Sequence, residues 1–185
     1  MGTGGWIILG LIAAIVIWAI MAYNRMIGSR NQVDNAWSQI DVQLKRRHDL
    51  IPNLVQVVKD AMGYEQETLK AVIEARNKAM TATGPAAISE AENALTAATG
   101  KLLALAEAYP DLKANTNIMQ LQEELTATEN KISFARQFYN DSVMAFNNAL
   151  QMFPNNLIAR QFAFTPREHF AVPETEKAVP QVKLR

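Results

Sequence analysis

From Trp6 to Tyr23 the chain reads WIILGLIAAIVIWAIMAY, eighteen residues with no charge and no strong polar group. Beyond Asn24 the uninterrupted run gives way to a periodic one. As an α-helix the first stretch spans roughly 27 Å, close to the ~30 Å hydrocarbon core of a bilayer. Its six Ile, two Leu and one Val contribute on the order of −4 kcal/mol to insertion. The stretch is therefore predicted to be a retained transmembrane helix. A cleaved signal peptide needs a basic leader, a shorter apolar core and small residues at a cleavage site, and none of these is present. Trp6 at one end, with Trp18 and Tyr23 towards the other, places amphipathic rings at the two interfaces. Arg25 and Arg30 follow the span and no Lys or Arg precedes it, so the charge bias puts the N-terminus outside and the rest in the cytoplasm.

After the span, apolar positions fall at Val33, Trp37, Ile40, Leu44, Ile51, Leu54 and Val58, with Arg47 in the same phase. Alternating spacings of 4 and 3 mark the seam of a helix packed on other helices. Pro52 removes a backbone donor, yet the seam passes through it in phase, which predicts a kinked but continuous helix over 24–62. Asn53, next in sequence, is the expected partner for backbone groups that Pro52 frees. A second helix is predicted over 64–82, with Leu69, Val72, Ile73, Ala79 and Met80 inward. Thr83, Gly84 and Pro85 end it. A third over 85–108 carries Ile88, Ala91, Leu95, Ala98, Leu102, Leu105 and Tyr109, and is closed by Pro110 and Asp111. A fourth over 115–152 carries Ile118, Leu121, Leu125, Thr128, Ile132, Ala135, Tyr139, Ser142, Phe146, Ala149 and Phe153.

The expected fold is all-α. A transmembrane helix within residues 1–23 continues into an antiparallel, up-down, coiled-coil-like bundle of four long helices over 24–153, and 154–185 forms an extended tail. The first helix beyond the span and the fourth are each about 38 residues, roughly 57 Å; the second and third are roughly 29 and 35 Å. Two long helices therefore outrun two short ones and leave a stalk near the membrane. There the fourth helix is apolar on several sides, at Phe134, Phe138, Tyr139, Phe146 and Phe153 among others. Such a surface needs a cover, either the tail through Phe162, Phe164 and Phe170 or a second subunit.

Charge and composition narrow the chemistry. Eighteen basic residues balance eighteen acidic ones, so no global field recruits nucleic acid. Cysteine is absent, which removes disulfides, thiolate metal sites and cysteine nucleophiles. The two histidines, His48 and His169, lie in different segments with no ligand spacing around them, so no metal or other cofactor is expected. Gly100-Lys101 mimics part of a phosphate loop, but Leu95 and Leu102 stand where a glycine and a Ser or Thr are required. Glu123, Glu124 and Glu129 read as a solvated helix face rather than an acid/base pair. Lys45, Arg46 and Arg47 form the one basic run. Arg47 lies on the seam, where pairing with carboxylates of the fourth helix is one reading and solvated surface the other.

Several blocks together resemble the bacterial LemA family: the span followed by YNRMIGSRNQVDNAWSQIDVQLKRRHDLIPNLVQVVKDAMGYE, then AVIEARNKA, ELTATENKISFARQFYNDSVMAFNNAL and FPNNLIARQFAFTPREHF. The block QLKRRHDLIPNLV and the segment Glu129 to Asn147 carry most of the likeness. The resemblance implies one N-terminal membrane helix, an antiparallel helical bundle and no established enzymatic activity. It also implies the neighbourhood of membrane proteases or other envelope proteins.

These features predict a single-pass protein of the bacterial inner membrane that acts by association, as a scaffold, adaptor or self-assembling homo-oligomer in contact with membrane lipid. Its interaction surface is expected at Trp37, Arg46, Arg47, Phe134, Phe138, Tyr139, Phe146 and Phe153. The rival is a ligand- or lipid-binding bundle, or an enzyme, with a site between the first and fourth helices near Arg47, Glu129 and Arg136. A third reading gives Arg25, Arg30, Arg160 and Arg167 to anionic headgroups.

Overall fold

The computed structural model describes residues 2–62 and 66–171, and every regular element among them is a helix. α1 spans Thr3–Met62, α2 Gln66–Thr81, α3 Pro85–Glu107, α4 Pro110–Lys113, α5 Thr116–Gln151 and α6 Asn155–Gln161. The all-α class read from the sequence is the class observed. The predicted start of the second helix at Tyr64 and the tail beyond Ala171 lie outside the described residues.

The apolar span and the first bundle helix are one helix of 60 residues, with Pro52 inside it. No glycine or proline interrupts α5 over its 36 residues. The α2–α3 junction is punctuated by Gly84, whose φ of 84° suits a residue without a Cβ, and by Pro85, whose missing N–H costs nothing at a helix start. Two short helices escape the periodicity. α4 is a single turn, and α6, seven residues opening the segment expected to be extended, is too short to show a repeat.

The chain divides into two compact units. One holds Gln39–Arg136 and the segment that starts at His169. Its core draws Ile51, Leu54, Val55 and Val58 from α1, Leu69, Val72 and Ala79 from α2, Ala91, Leu95, Leu102 and Ala106 from α3, and Ile118 and Leu125 from α5. The expected seams of α1 and α5 are inward here. On α2, Ile73 and Met80 are exposed, because the buried stripe is narrow and both residues sit one position past it. On α3 the buried set includes Ser89, Glu92 and Thr99, while Ile88, Ala98 and Leu105 are half-buried and Tyr109 is exposed. A helix serving several neighbours buries a wider arc than a two-helix seam does.

The other unit holds the chain up to Ser38 and Gln137–Glu168. α1 contributes Ala22, Met26, Val33 and Ala36 to its interior, and α5 contributes Tyr139, Val143, Phe146 and Leu150. The two helices run antiparallel. The Trp37 and Tyr139 rings lie 5.3 Å apart. Seven residues back along α1 and seven on along α5, Arg30 and Phe146 both meet Phe164, at 5.8 and 6.4 Å from its ring centre. From Trp6 to Met21 the large apolar side chains of α1 that face outward are exposed, along a helix long and apolar enough to cross a membrane.

Candidate functional site

Polar side chains are buried together in the four-helix unit around Glu92, which is completely enclosed. Successive residues of α1, Arg47 and His48, face it from one turn. The Arg47 guanidinium lies 3.3 Å from Glu92 Oε2, and His48 Nε2 lies 2.6 Å from Oε1. Arg47 also donates to the Thr96 hydroxyl at 2.7 Å, and that hydroxyl donates to the Glu92 carbonyl at 3.0 Å. Both carboxylate oxygens are thus occupied, and the threonine hydroxyl both gives and accepts. With no free nucleophile and no open face, the cluster ties α1 to α3 rather than presenting groups to a substrate.

One turn along, Arg76 of α2 donates through Nε to the His48 backbone carbonyl at 2.7 Å. In a regular helix that carbonyl accepts from the residue four positions on, and here that residue is Pro52, which has no N–H. Arg76 supplies the missing donor. Asn53, expected in this role, is exposed beside an exposed Pro52.

In the two-helix unit a strap formed by the segment after α6 crosses α5. Asn147 grips the Arg167 main chain twice: its Nδ2 donates to the Arg167 carbonyl and its Oδ1 accepts from the Arg167 N–H, both at 2.9 Å. The Tyr139 hydroxyl donates to the Glu168 carbonyl at 2.9 Å, and the Arg167 guanidinium reaches Asp34 of α1 at 3.0 Å. Burial pushes the Tyr139 hydroxyl above its usual pKa; Arg167 opposes that shift, and Asp34 and Glu168 add to it. Phe164 packs on Tyr23, Phe146 and Arg30, and the Phe162 ring lies 4.7 Å from Tyr23.

The residues expected at an interaction surface therefore separate. Arg47 is buried and pairs with Glu92 of α3, not with carboxylates of the last long helix, whereas Arg46, exposed, reaches Glu124 of α5 at 3.3 Å. Tyr139 and Phe146 are interior and Trp37 is half-buried against Tyr139. Phe134 and Phe138 remain outward, and Phe153 does too because α5 ends at Gln151 before the seam reaches it. Of the interfacial set, Trp6 and Arg25 are exposed and Trp18, Tyr23 and Arg30 are half-buried. Of the residues named for the rival ligand site, Arg47 pairs with Glu92, Glu129 is exposed, and the Arg136 guanidinium lies 4.7 Å over the buried Phe170 ring. An apolar cavity of about 230 Å³ lies elsewhere in that unit, lined by Leu103, Ala106, Leu112, Ile118 and Met119 among others. It is smaller than the ~300–1,000 Å³ of usual ligand pockets.

Glu92, Thr96 and Asn147 were not legible as site residues. A heptad seam counts apolar positions, and each of these polar residues lies on or beside a stripe without changing its phase.

The polar cluster, Arg76 and the strap all fall inside a region with a known signature. The sequence model of the LemA family matches residues 36–184. The chain belongs to the LemA family. Among its relatives, Protein LemA of Metamycoplasma hominis is 26% identical over 158 residues, covering 83% of this chain and 71% of that protein. Magnetosome protein MamQ 2 of Paramagnetospirillum magneticum is 20% identical and Magnetosome protein MamQ of Magnetospirillum gryphiswaldense 22% identical, each covering 86% of this chain and 68% of the relative. Neither the LemA family nor these relatives are named for a reaction. The family match begins at Ala36, so the apolar run of this LemA-family chain precedes the matched region.

Proposed function

We propose that this LemA-family chain is a membrane-anchored helical scaffold that works by association, first with copies of itself and through them with other envelope proteins, such as a membrane protease. The observation that carries this reading is on α5. Phe134 is 73% exposed, and Phe138, one turn on, is 42% exposed. A large aromatic side chain such as Phe134, left outward beside the buried Ala135, fits a contact surface. The buried charges support the same reading from the other side. Arg47, His48 and Glu92 are consumed by each other.

The apolar helix anchors the scaffold in the cytoplasmic membrane. Arg25 and Arg30 after the span, against no basic residue before it, support a cytoplasmic bundle with the N-terminus outside. Relatives named for a cell structure, the magnetosome, fit a structural role. The reading is tested by the mass of the membrane-embedded protein with and without Phe134→Ser.

A further inference from the structure

Resting on the membrane anchor proposed above, we infer that the corner between α5 and α6 is a second membrane contact, seated in the headgroup–acyl boundary of the same bilayer. The corner carries Met152, Phe153 and Leu157, exposed at 63%, 80% and 55%, with Phe162 exposed on one side at the end of α6. Among the described residues no tertiary partner covers this much apolar surface, and its height along α1 says what does.

The level of the corner follows from the antiparallel register. Trp37 stands beside Tyr139, and Arg30 and Phe146 meet on Phe164. Continuing in each direction brings the last turn of α5, which ends at Gln151, to the level of Tyr23, and Phe153 follows two residues past that end. Phe162 gives a direct check, since its ring contacts that of Tyr23 at 4.7 Å. Tyr23 closes the uncharged run that starts at Trp6, and Arg25 follows two residues later. A helix inserted through that run has Tyr23 at the interface, so Phe153, Leu157 and Phe162 are held at interfacial depth.

The polar groups agree with that depth. Arg160 on α6 is exposed, as is Arg25 on α1, and each can reach lipid phosphates while the apolar residues face the acyl boundary. Ala159, on the other side of α6, is buried against the unit. α6 is thus a short amphipathic helix held by one face, with the other turned to the interface. The alternative occupant, a second copy of the chain, needs a protein surface at the same height. It is an outcome of the test.

The chain has no cysteine, so single labels are unambiguous. Phe153→Cys, Leu157→Cys and Met144→Cys place a nitroxide on exposed positions without touching the interior. Met144 lies on α5 seven residues before its end at Gln151, about 10 Å farther from the span than that end. The full-length protein is reconstituted in vesicles of phosphatidylcholine with phosphatidylglycerol, and collisions of each label with oxygen and with a water-soluble nickel chelate are compared. At 153 and 157 oxygen should collide more often than the chelate. At 144 the order should reverse. Labels at 153 and 157 that behave like the label at 144 overturn the inference. So does exclusion of both reagents from 153 and 157 with spin–spin broadening, which assigns the corner to a second copy. Helical circular dichroism matching the unlabelled protein confirms that each variant has folded.

Discussion

Arg76 donates to the backbone carbonyl of His48, the acceptor that Pro52 leaves without its helical partner. A proline inside a helix costs about 3 kcal/mol, partly because one carbonyl is orphaned. A guanidinium from α2 repairs that loss and joins two helices in doing so. The two features should therefore be coupled. Arg76→Leu should destabilise the Pro52 protein by about 1.5–3 kcal/mol, since the bond involves a charged donor. In a Pro52→Ala background the alanine N–H takes over the carbonyl, and the cost should shrink by about 0.5–3 kcal/mol. Thermal unfolding of the four proteins in one detergent measures the coupling; equal costs in both backgrounds would separate Arg76 from Pro52.

The Glu92 carboxylate is shared by Arg47 and His48 where no water reaches it. Glu92→Gln leaves a buried guanidinium without its counter-charge and should cost about 3–5 kcal/mol. Replacing the pair together, Arg47→Met with Glu92→Leu, should recover most of that loss, because apolar groups of similar size have no desolvation penalty to offset. A lowered unfolding midpoint in the single variant, restored in the double, is the expected result. Loss of the same size in both would show that the charge pair itself is needed.

Tyr139 gives an alkaline signature. Its pKa lies above the usual 10.0 in the folded chain, so the folded state holds the proton more tightly than the unfolded one. The associated stability is complete below about pH 10 and is lost as pH rises through the folded value. Tyr139→Phe removes the bond to the Glu168 carbonyl and should cost about 0.5–1.5 kcal/mol at neutral pH. Above pH 10 the gap between the two proteins should close. A gap that widens with pH would contradict the assignment.

Much of the fold was legible because long helices repeat their instructions. On α5, Ile118, Leu125, Thr128, Ile132, Ala135, Tyr139, Ser142 and Phe146 all fall inside, as a seam of 4 and 3 requires. Phe153 keeps the phase but lies past the end of the helix at Gln151, so phase no longer sets its direction. α6 was missed because seven residues hold barely two turns. The site was harder to read. Arg47 stood out as a charge on a seam, but its partner came from α3, where Glu92 neighbours the apolar positions and reads as surface. Pairing between helices depends on which faces meet, and one sequence does not carry that. The Arg76–Pro52 relation was hidden for a similar reason, since the orphaned carbonyl is local but its donor comes from another helix.

One amide grips the main chain of the strap over α5. Asn147 holds the Arg167 main chain by two hydrogen bonds at a partly solvated position, so Asn147→Ala should weaken local closure by about 1–3 kcal/mol. The effect should appear as faster amide exchange at Arg167 and faster tryptic cleavage after it, while α2 and α3 stay protected. Unchanged cleavage would mean that Phe164 and Tyr139 suffice to hold the strap.

Association of the chain with its own copies is read from its mass in a membrane. The protein reconstituted in lipid nanodiscs is measured by mass photometry or light scattering, wild type beside Phe134→Ser. Self-association gives a defined species whose protein mass exceeds the 20.5 kDa chain, reduced by the substitution at an exposed side chain that takes no part in the core. A wild-type protein that stays at 20.5 kDa at all concentrations, indistinguishable from Phe134→Ser, would contradict it.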